Sequence, residues 1–263
     1  MVHYTPIYSK MRKTVLITGA TSGIGEACAQ TFAENGYNLI ITGRRKDRLE
    51  RLSEELERQF GIQILSLSFD VRDREMVRKH LLELPEPFDN VDILLNNAGL
   101  AAGADPIQSG DHVNWERMMD TNVKGLLYVT EAILPGMKKN GSGHIINIAS
   151  IAGKEVYPGG NVYCASKHAV DALTRGMRLD LVETGIKVSQ VSPGLVETEF
   201  SIVRFEGDME KAKQVYRGME PLHASDVADS VYYIASRPAH VNIGDILILP
   251  SAQASSTVVK RNG

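Results

Sequence analysis

Tyr163 and Lys167 stand four residues apart in Tyr163-Cys164-Ala165-Ser166-Lys167, with Ser150 thirteen residues upstream. On a helix an i, i+4 pair shares one face, which brings the ammonium close enough to act on the phenol. A free phenol has a pKa of about 10 and is a poor proton donor or acceptor at neutral pH. A neighbouring cation stabilises the phenolate, lowers that pKa and makes tyrosine usable as a general acid/base. Ser150 can then hydrogen-bond a substrate oxygen that gains or loses charge. Taken alone, such a pair is usually an ordinary helix surface. A second motif in the same chain gives it weight.

That motif is Thr18-Gly19-Ala20-Thr21-Ser22-Gly23-Ile24-Gly25. It follows an apolar run, Thr14-Val15-Leu16-Ile17, that reads as a buried strand, and it precedes a stretch of helical character, Glu26 to Ala33. Strand, glycine turn and helix together make a phosphate cradle. The glycines admit close backbone approach to a pyrophosphate, and the helix amino terminus supplies aligned N–H donors. The spacing Gly19-x-x-x-Gly23-x-Gly25 departs from G-x-G-x-x-G, and a glycine-rich turn without a ligand is the plainer alternative.

The elements that must position these residues alternate short apolar runs with longer amphipathic stretches, as βαβ units do. Strands are expected near 14–18, 38–42, 62–68, 92–95, 143–149, 186–191 and 245–249. Helices are expected near 24–35, 46–59, 73–83, 112–138, 161–183 and 225–236. Right-handed crossovers would give an α/β fold, a doubly wound parallel sheet of Rossmann type with helices on both faces. Residues 1–10 read as a loosely held extension and 11–263 as one catalytic domain, since no repeat, low-complexity tract or linker divides it. Helices 112–138 and 161–183 carry more apolar residues than one stripe, among them Leu126, Leu127, Val129, Val170, Leu179 and Val182. Burial on two sides follows, against the sheet and against a second subunit.

Composition narrows the function. In 263 residues, 43% are hydrophobic, yet no apolar run reaches the ~18 residues needed to span a membrane. A net charge of −3 offers nothing to nucleic acid. Two cysteines, Cys28 and Cys164, cannot form a framework and point to a reducing compartment. The seven histidines have no metal-ligand spacing, so no metal is expected. The first ten residues lack the apolar core of a signal peptide. A cytoplasmic enzyme is the expectation.

The combined motifs resemble the short-chain dehydrogenase/reductase family. The match comprises the 18–25 loop, Asn96-Asn97-Ala98-Gly99 after a strand, Asn122, Ser150, Tyr163, Lys167 and Pro193-Gly194, in the family's order along most of the chain. The resemblance implies Tyr163 as acid/base and Ser150 as donor to the substrate oxygen. It implies Lys167 as the ligand of the nicotinamide ribose that depresses the tyrosine pKa, and Asn122 as holder of a water in the proton relay. Cofactor contacts are implied for Gly19, Thr21, Ser22, Gly23, Ile24 and Gly25 in the loop. Asp70 and Val71 after the third strand and Asn97, Ala98 and Gly99 after the fourth would also touch it. So would Tyr163, Lys167, Pro193, Gly194, Val196 and Thr198. The family's habit of pairing these helices implies a homodimer at least, and a homotetramer as the expected state.

The end of the second strand separates NAD from NADP. An acid there would bind the ribose 2′-OH, whereas arginine suits a 2′-phosphate. Gly43 is followed by Arg44 and Arg45, with no acid, so NADP is expected. The segments after Pro193 and after Arg237, with Gly159-Gly160-Asn161, look like the branch of NADP-dependent 3-hydroxy acid dehydrogenases that includes serine 3-dehydrogenase. That implies small substrates such as serine, allo-threonine or 3-hydroxypropionate, the corresponding semialdehydes, or sulfonated aldehydes. Arg204, between apolar Val203 and Phe205, could fork onto such an anion, and Tyr157 could add a hydrogen bond. A salt bridge from Arg204 to Glu199 or Glu206 is the alternative. Two other functions remain open: reduction of a larger carbonyl compound (acyl thioester, sugar or steroid), and non-catalytic NADP binding.

Overall fold

A computed structural model describes residues 12–262; the expected extension over 1–10 lies outside them. Seven parallel strands form one sheet: β1 (Thr14–Thr18), β2 (Asn38–Gly43), β3 (Ile64–Ser68), β4 (Ile93–Asn96), β5 (Gly143–Ile148), β6 (Ile186–Pro193) and β7 (Asp245–Ile248). Their order is β3-β2-β1-β4-β5-β6-β7. The chain builds outward from β1 in one direction and then from β4 in the other, so a crevice opens beyond the carboxyl ends of β1 and β4. β1, β2 and β4 are buried along their whole length, as a parallel sheet covered on both faces requires.

Side chains alternate between the two faces. Val15, Ile17, Leu95 and Ile146 meet α1 (Gly23–Glu34), α2 (Lys46–Phe60) and α9 (Ala224–Ala235) in one cluster with Phe32, Leu56 and Val231. Leu16, Ile40, Leu94 and Ile145 meet α3 (Arg74–Leu81) and α5 (Leu126–Asn140) in the other, with Val77, Val129 and Ile133. α6 (Asn161–Asp180) borders the crevice with Tyr163 and Lys167, and α4 (His112–Met119) packs against this helix.

Three expectations need correction. The helix expected over 112–138 is α4 and α5 joined by a π-helical turn, Asp120–Gly125. At that turn Gly125 passes so close to Val71 that a Cβ would lie 2.8 Å from its Cγ2. The helix expected to reach 183 ends at Asp180, and a 3₁₀ turn, Val182–Thr184, follows. The segment after Pro193, read without helix, contains two short ones, α7 (Glu199–Arg204) and α8 (Met209–Gln214). Of the apolar residues on α5 and α6, Leu126, Val129 and Val170 are buried within the chain, whereas Leu179 in the last turn of α6 is 78% exposed, and Val182 just beyond the helix is 76% exposed.

Candidate active site

A cavity of about 440 Å³ fills the crevice, walled by the glycine loop, the ends of β2, β4, β5 and β6, and α7. Its first wall is built by backbone proximity. Gly19 has φ 69°, and a Cβ there would stand 3.0 Å from Ala98 Cα. Asn97 ties the two loops: its Nδ2 donates to Thr18 O (2.8 Å) and Gly19 O (3.1 Å), while the Asn97 and Ala98 amides donate to Thr18 Oγ1. Ser22, the N-cap of α1, makes no side-chain capping bond, so the first-turn N–H groups are left for an anion. At Gly25 a Cβ would stand 2.4 Å from Gly19 O, so the missing side chain lets α1 pack on the loop.

At the far end of β2 the two arginines part company. Arg44 lines the cavity with its side chain 56% exposed, 3.9 Å from Asp70, whose carboxylate is engaged by Arg72 at 2.7 Å. Arg45 is largely committed. Its Nη2 donates to Thr21 Oγ1 (2.8 Å) and Ser22 Oγ (2.7 Å), and its Nη1 to Glu199 Oε2 (2.8 Å). No acid lies on the strand end, and a guanidinium with two hydroxyls faces the cavity. This donor set fits a dinucleotide carrying a 2′-phosphate, with Arg44 the freer grip.

Ser150, Tyr163 and Lys167 converge where β5, β6 and α6 meet. Ser150 Oγ accepts from Ala152 N (3.1 Å) and donates to Pro193 O (3.4 Å). Tyr163 is buried, with Phe200 edge-on at 5.7 Å. Burial pushes its phenol well above the usual tyrosine range, Tyr157 adds to the rise, and the Ser150 hydroxyl opposes it. Lys167 shares that helix face, but its Nζ donates to Ile148 O at 2.8 Å, and burial lowers its pKa to about 8. The expected depression of the tyrosine pKa is therefore absent from this arrangement. Removal from water outweighs charge, and the ammonium turns to the carbonyl at the end of β5. Asn122 lies behind the wall. Its Oδ1 accepts from Leu100 N (2.8 Å), and its Nδ2 donates to Leu100 O and Ser166 Oγ (2.9 Å each). Its amide thus braces the π turn against both the loop after β4 and α6.

The last wall is α7. Arg204 Nη1 donates to Tyr157 OH (3.1 Å) and Nε to Gly103 O (3.3 Å), with its guanidinium 5.4 Å from the Tyr157 ring centroid. Neither expected carboxylate pairs with it: Glu199 takes Arg45 and Arg48, and Glu206 accepts from Asn114. Among the described residues no acid forms an ion pair with Arg204. Val71, Pro193, Gly194, Val196 and Thr198 line the cavity.

The short chain dehydrogenase pattern matches residues 13–208. The chain belongs to that family. Its relatives include sulfoacetaldehyde reductase 2 of Chromohalobacter salexigens, 47% identical over 94% of this chain and 97% of that protein. NADP-dependent 3-hydroxy acid dehydrogenase YdfG of Escherichia coli K12 is 45% identical over 91% of this chain and 96% of that one. Among solved structures, the closed form of serine dehydrogenase complexed with NADP+ superposes with a TM-score of 0.88 at 43% identity, covering 95% of this chain and all of that one. The seven-stranded sheet with helices on both sides is thus the family's architecture.

Several wall residues were not foreseen. Phe200, Val203 and Tyr216 come from α7 and the turn after α8, and Tyr216 OH bridges Ser201 Oγ (2.6 Å) and Val196 O (2.8 Å). Thr198 and Asp208, which cap the two helices, were the available signals. Gln253 arrives from the carboxyl end and accepts from Leu195 N at 2.9 Å; nothing in its sequence neighbourhood marks it.

Proposed function

We propose that this short-chain dehydrogenase moves hydride between NADP and the hydroxyl-bearing carbon of a small anionic 3-hydroxy acid, or the aldehyde corresponding to it, including sulfonated aldehydes. The observation that carries this reading is Arg204: a cavity-lining cation without a carboxylate partner among the described residues, oriented by Tyr157 and Gly103. A guanidinium fork matches carboxylate and sulfonate. The relatives named for 3-hydroxy acids and sulfoacetaldehyde support the same class.

The bound cofactor supplies or accepts the hydride; the chain does the rest. Arg44, the Thr21 and Ser22 hydroxyls and the α1 amino terminus would hold its phosphates. Tyr163 holds the proton exchanged with the substrate oxygen, and Ser150 donates a hydrogen bond to that oxygen. With the phenol pKa raised by burial, Tyr163 stays protonated at neutral pH, the form that donates to a carbonyl during reduction. Lys167 would offer its ammonium to the ribose. Phe200 and the apolar cluster of Leu100, Ala152 and Cys164 keep water from this corner. The reading takes 11–263 as one catalytic domain in the cytoplasm, where buried, free Cys28 and Cys164 stay reduced. It also takes the exposed Leu179 and Val182 as covered by another copy of the chain in a homotetramer.

The test is Arg204→Met, which keeps most of the bulk and loses the charge. Kinetics on serine, 3-hydroxypropionate and sulfoacetaldehyde should fall by roughly 10- to 100-fold in kcat/KM, as expected for one charged hydrogen-bonding contact. Propanal, uncharged and of similar size, should be nearly unaffected. Equal losses on charged and uncharged substrates would refute the assignment, and the wild-type ranking would identify the preferred acid.

A further inference from the structure

α7 spans only six residues, yet its two ends serve different parts of the cavity. Glu199 opens it and Arg204 closes it, about 7.5 Å apart at 1.5 Å rise per residue. Between them Phe200 lies against Tyr163. At the opening end, Glu199 Oε2 accepts from Arg45 Nη1 and Oε1 from Arg48 Nη1, both at 2.8 Å. Arg45 is itself pinned to Thr21 and Ser22 of the glycine loop. At the closing end the chain turns away through Glu206 and Gly207, at φ 53° and 93°. The backbone there is held to the opposite wall by one bond, Gly103 N to Arg204 O at 2.9 Å.

We propose that Glu199 is a positioning residue: it tethers α7 to the cofactor loop through Arg45 and Arg48, and so sets where Arg204 meets the substrate anion. This rests on the reading of Arg204 as the anion's ligand. It also divides labour between the neighbouring arginines, with Arg44 gripping the 2′-phosphate and Arg45 joining cofactor side to substrate side. A six-residue helix cannot hold itself in water, so its position is set by its anchors. Charged contacts at both ends of so short an element fix it better than the adaptable apolar packing of Phe200 and Val203.

Glu199→Gln keeps shape and removes charge, at a site exposed enough for the fold to tolerate it. The expected result is a roughly 3- to 10-fold fall in kcat/KM for 3-hydroxypropionate, carried mainly by KM, because a displaced arginine loses orientation before it loses contact. Propanal reduction should hold near the wild-type value, and NADPH affinity by titration calorimetry should stay within about threefold. Placed in the Arg204→Met background, Glu199→Gln should add no further loss on the acid, since residues acting through one another are not additive. A readout free of turnover is tryptic cleavage after Arg204, which should accelerate in Glu199→Gln. Equal losses from Glu199→Gln in both backgrounds, or unchanged KM and unchanged proteolysis, overturn the inference. If Arg204→Met alone fails to separate charged from uncharged substrates, the anion reading falls and the route through Arg204 falls with it. If Arg204→Met is selective and Glu199→Gln behaves as wild type, the anion reading survives and only the tether is lost.

Discussion

Lys167 should destabilise the fold it serves. Its side chain is buried, with 6% of the residue exposed, and its ammonium donates to Ile148 O at 2.8 Å. Burial lowers its pKa from the ordinary 10.5 to about 8. At about 1.4 kcal/mol per pKa unit, that drop corresponds to roughly 3 kcal/mol against keeping the charge in the folded state. Below pH ~8 both folded and unfolded chains carry the proton, so the whole penalty applies. Between about 8 and 10.5 the folded chain has released it while the unfolded chain retains it, and stability from this residue rises with pH. Lys167→Met removes the penalty at every pH with similar volume, and strands the Ile148 carbonyl at a cost of about 1–3 kcal/mol. At pH 7 the variant should therefore range from equal stability to about 2 kcal/mol more stable. Its advantage should shrink by roughly 3 kcal/mol by pH 11. Urea unfolding of both proteins from pH 7 to 11, at one protomer concentration, reads the difference directly. A gap that stays constant within about 1 kcal/mol across that range would refute the burial argument, as would a clear destabilisation at pH 7. The variant should also be nearly inactive, a trade of stability for function.

Tyr163→Phe should leave NADPH binding by calorimetry intact and lower turnover by ~10²–10⁴-fold; a variant above half the wild-type rate removes the phenol from the proton path. Arg44→Ala should weaken NADPH by roughly tenfold or more and leave NADH unchanged, as loss of one charged contact to a phosphate does. Arg45→Ala should raise the KM for the acid as well, because Arg45 also holds Glu199. The paired change Leu179→Lys and Val182→Lys should lower the mass measured by light scattering, and an unchanged mass would place the subunit contact elsewhere.

The strands, the glycine loop and the Ser150, Tyr163, Lys167 set were legible because each depends on neighbours in sequence. A buried parallel strand is an apolar run wherever the chain goes next, and an i, i+4 pair shares a face on any helix. Distances between remote segments were not legible. The spacing of Tyr163 and Lys167 placed them together but could not show that β5 offers a carbonyl at Ile148, which takes the ammonium. Nor could the place of Gly25 in the loop show that a Cβ there would come within 2.4 Å of Gly19 O. The π turn at Asp120–Gly125 left no trace in the apolar pattern, because it shifts the register of one helix without changing its composition.

Arg44 and Arg45 show where local reading stops. Side by side after a strand, they are chemically identical, and the strand end argues for a 2′-phosphate without ranking them. What separates them is Glu199, 154 residues further along the chain from Arg45. It could become Arg45's partner only because α7 forms, and α7 owes little to helix propensity: it is too short to be periodic and too short to be stable alone. Its place comes from the Thr198 cap, the Tyr216 bridge to Ser201 and the ion pairs of Glu199. The glycine loop and the Tyr163–Lys167 pair are written in neighbouring residues, whereas the α7 wall is assembled from single residues that meet only in the fold. The sequence therefore speaks clearly about hydride chemistry and its cofactor, and about the substrate chiefly through one arginine whose expected acids turn out to be occupied elsewhere.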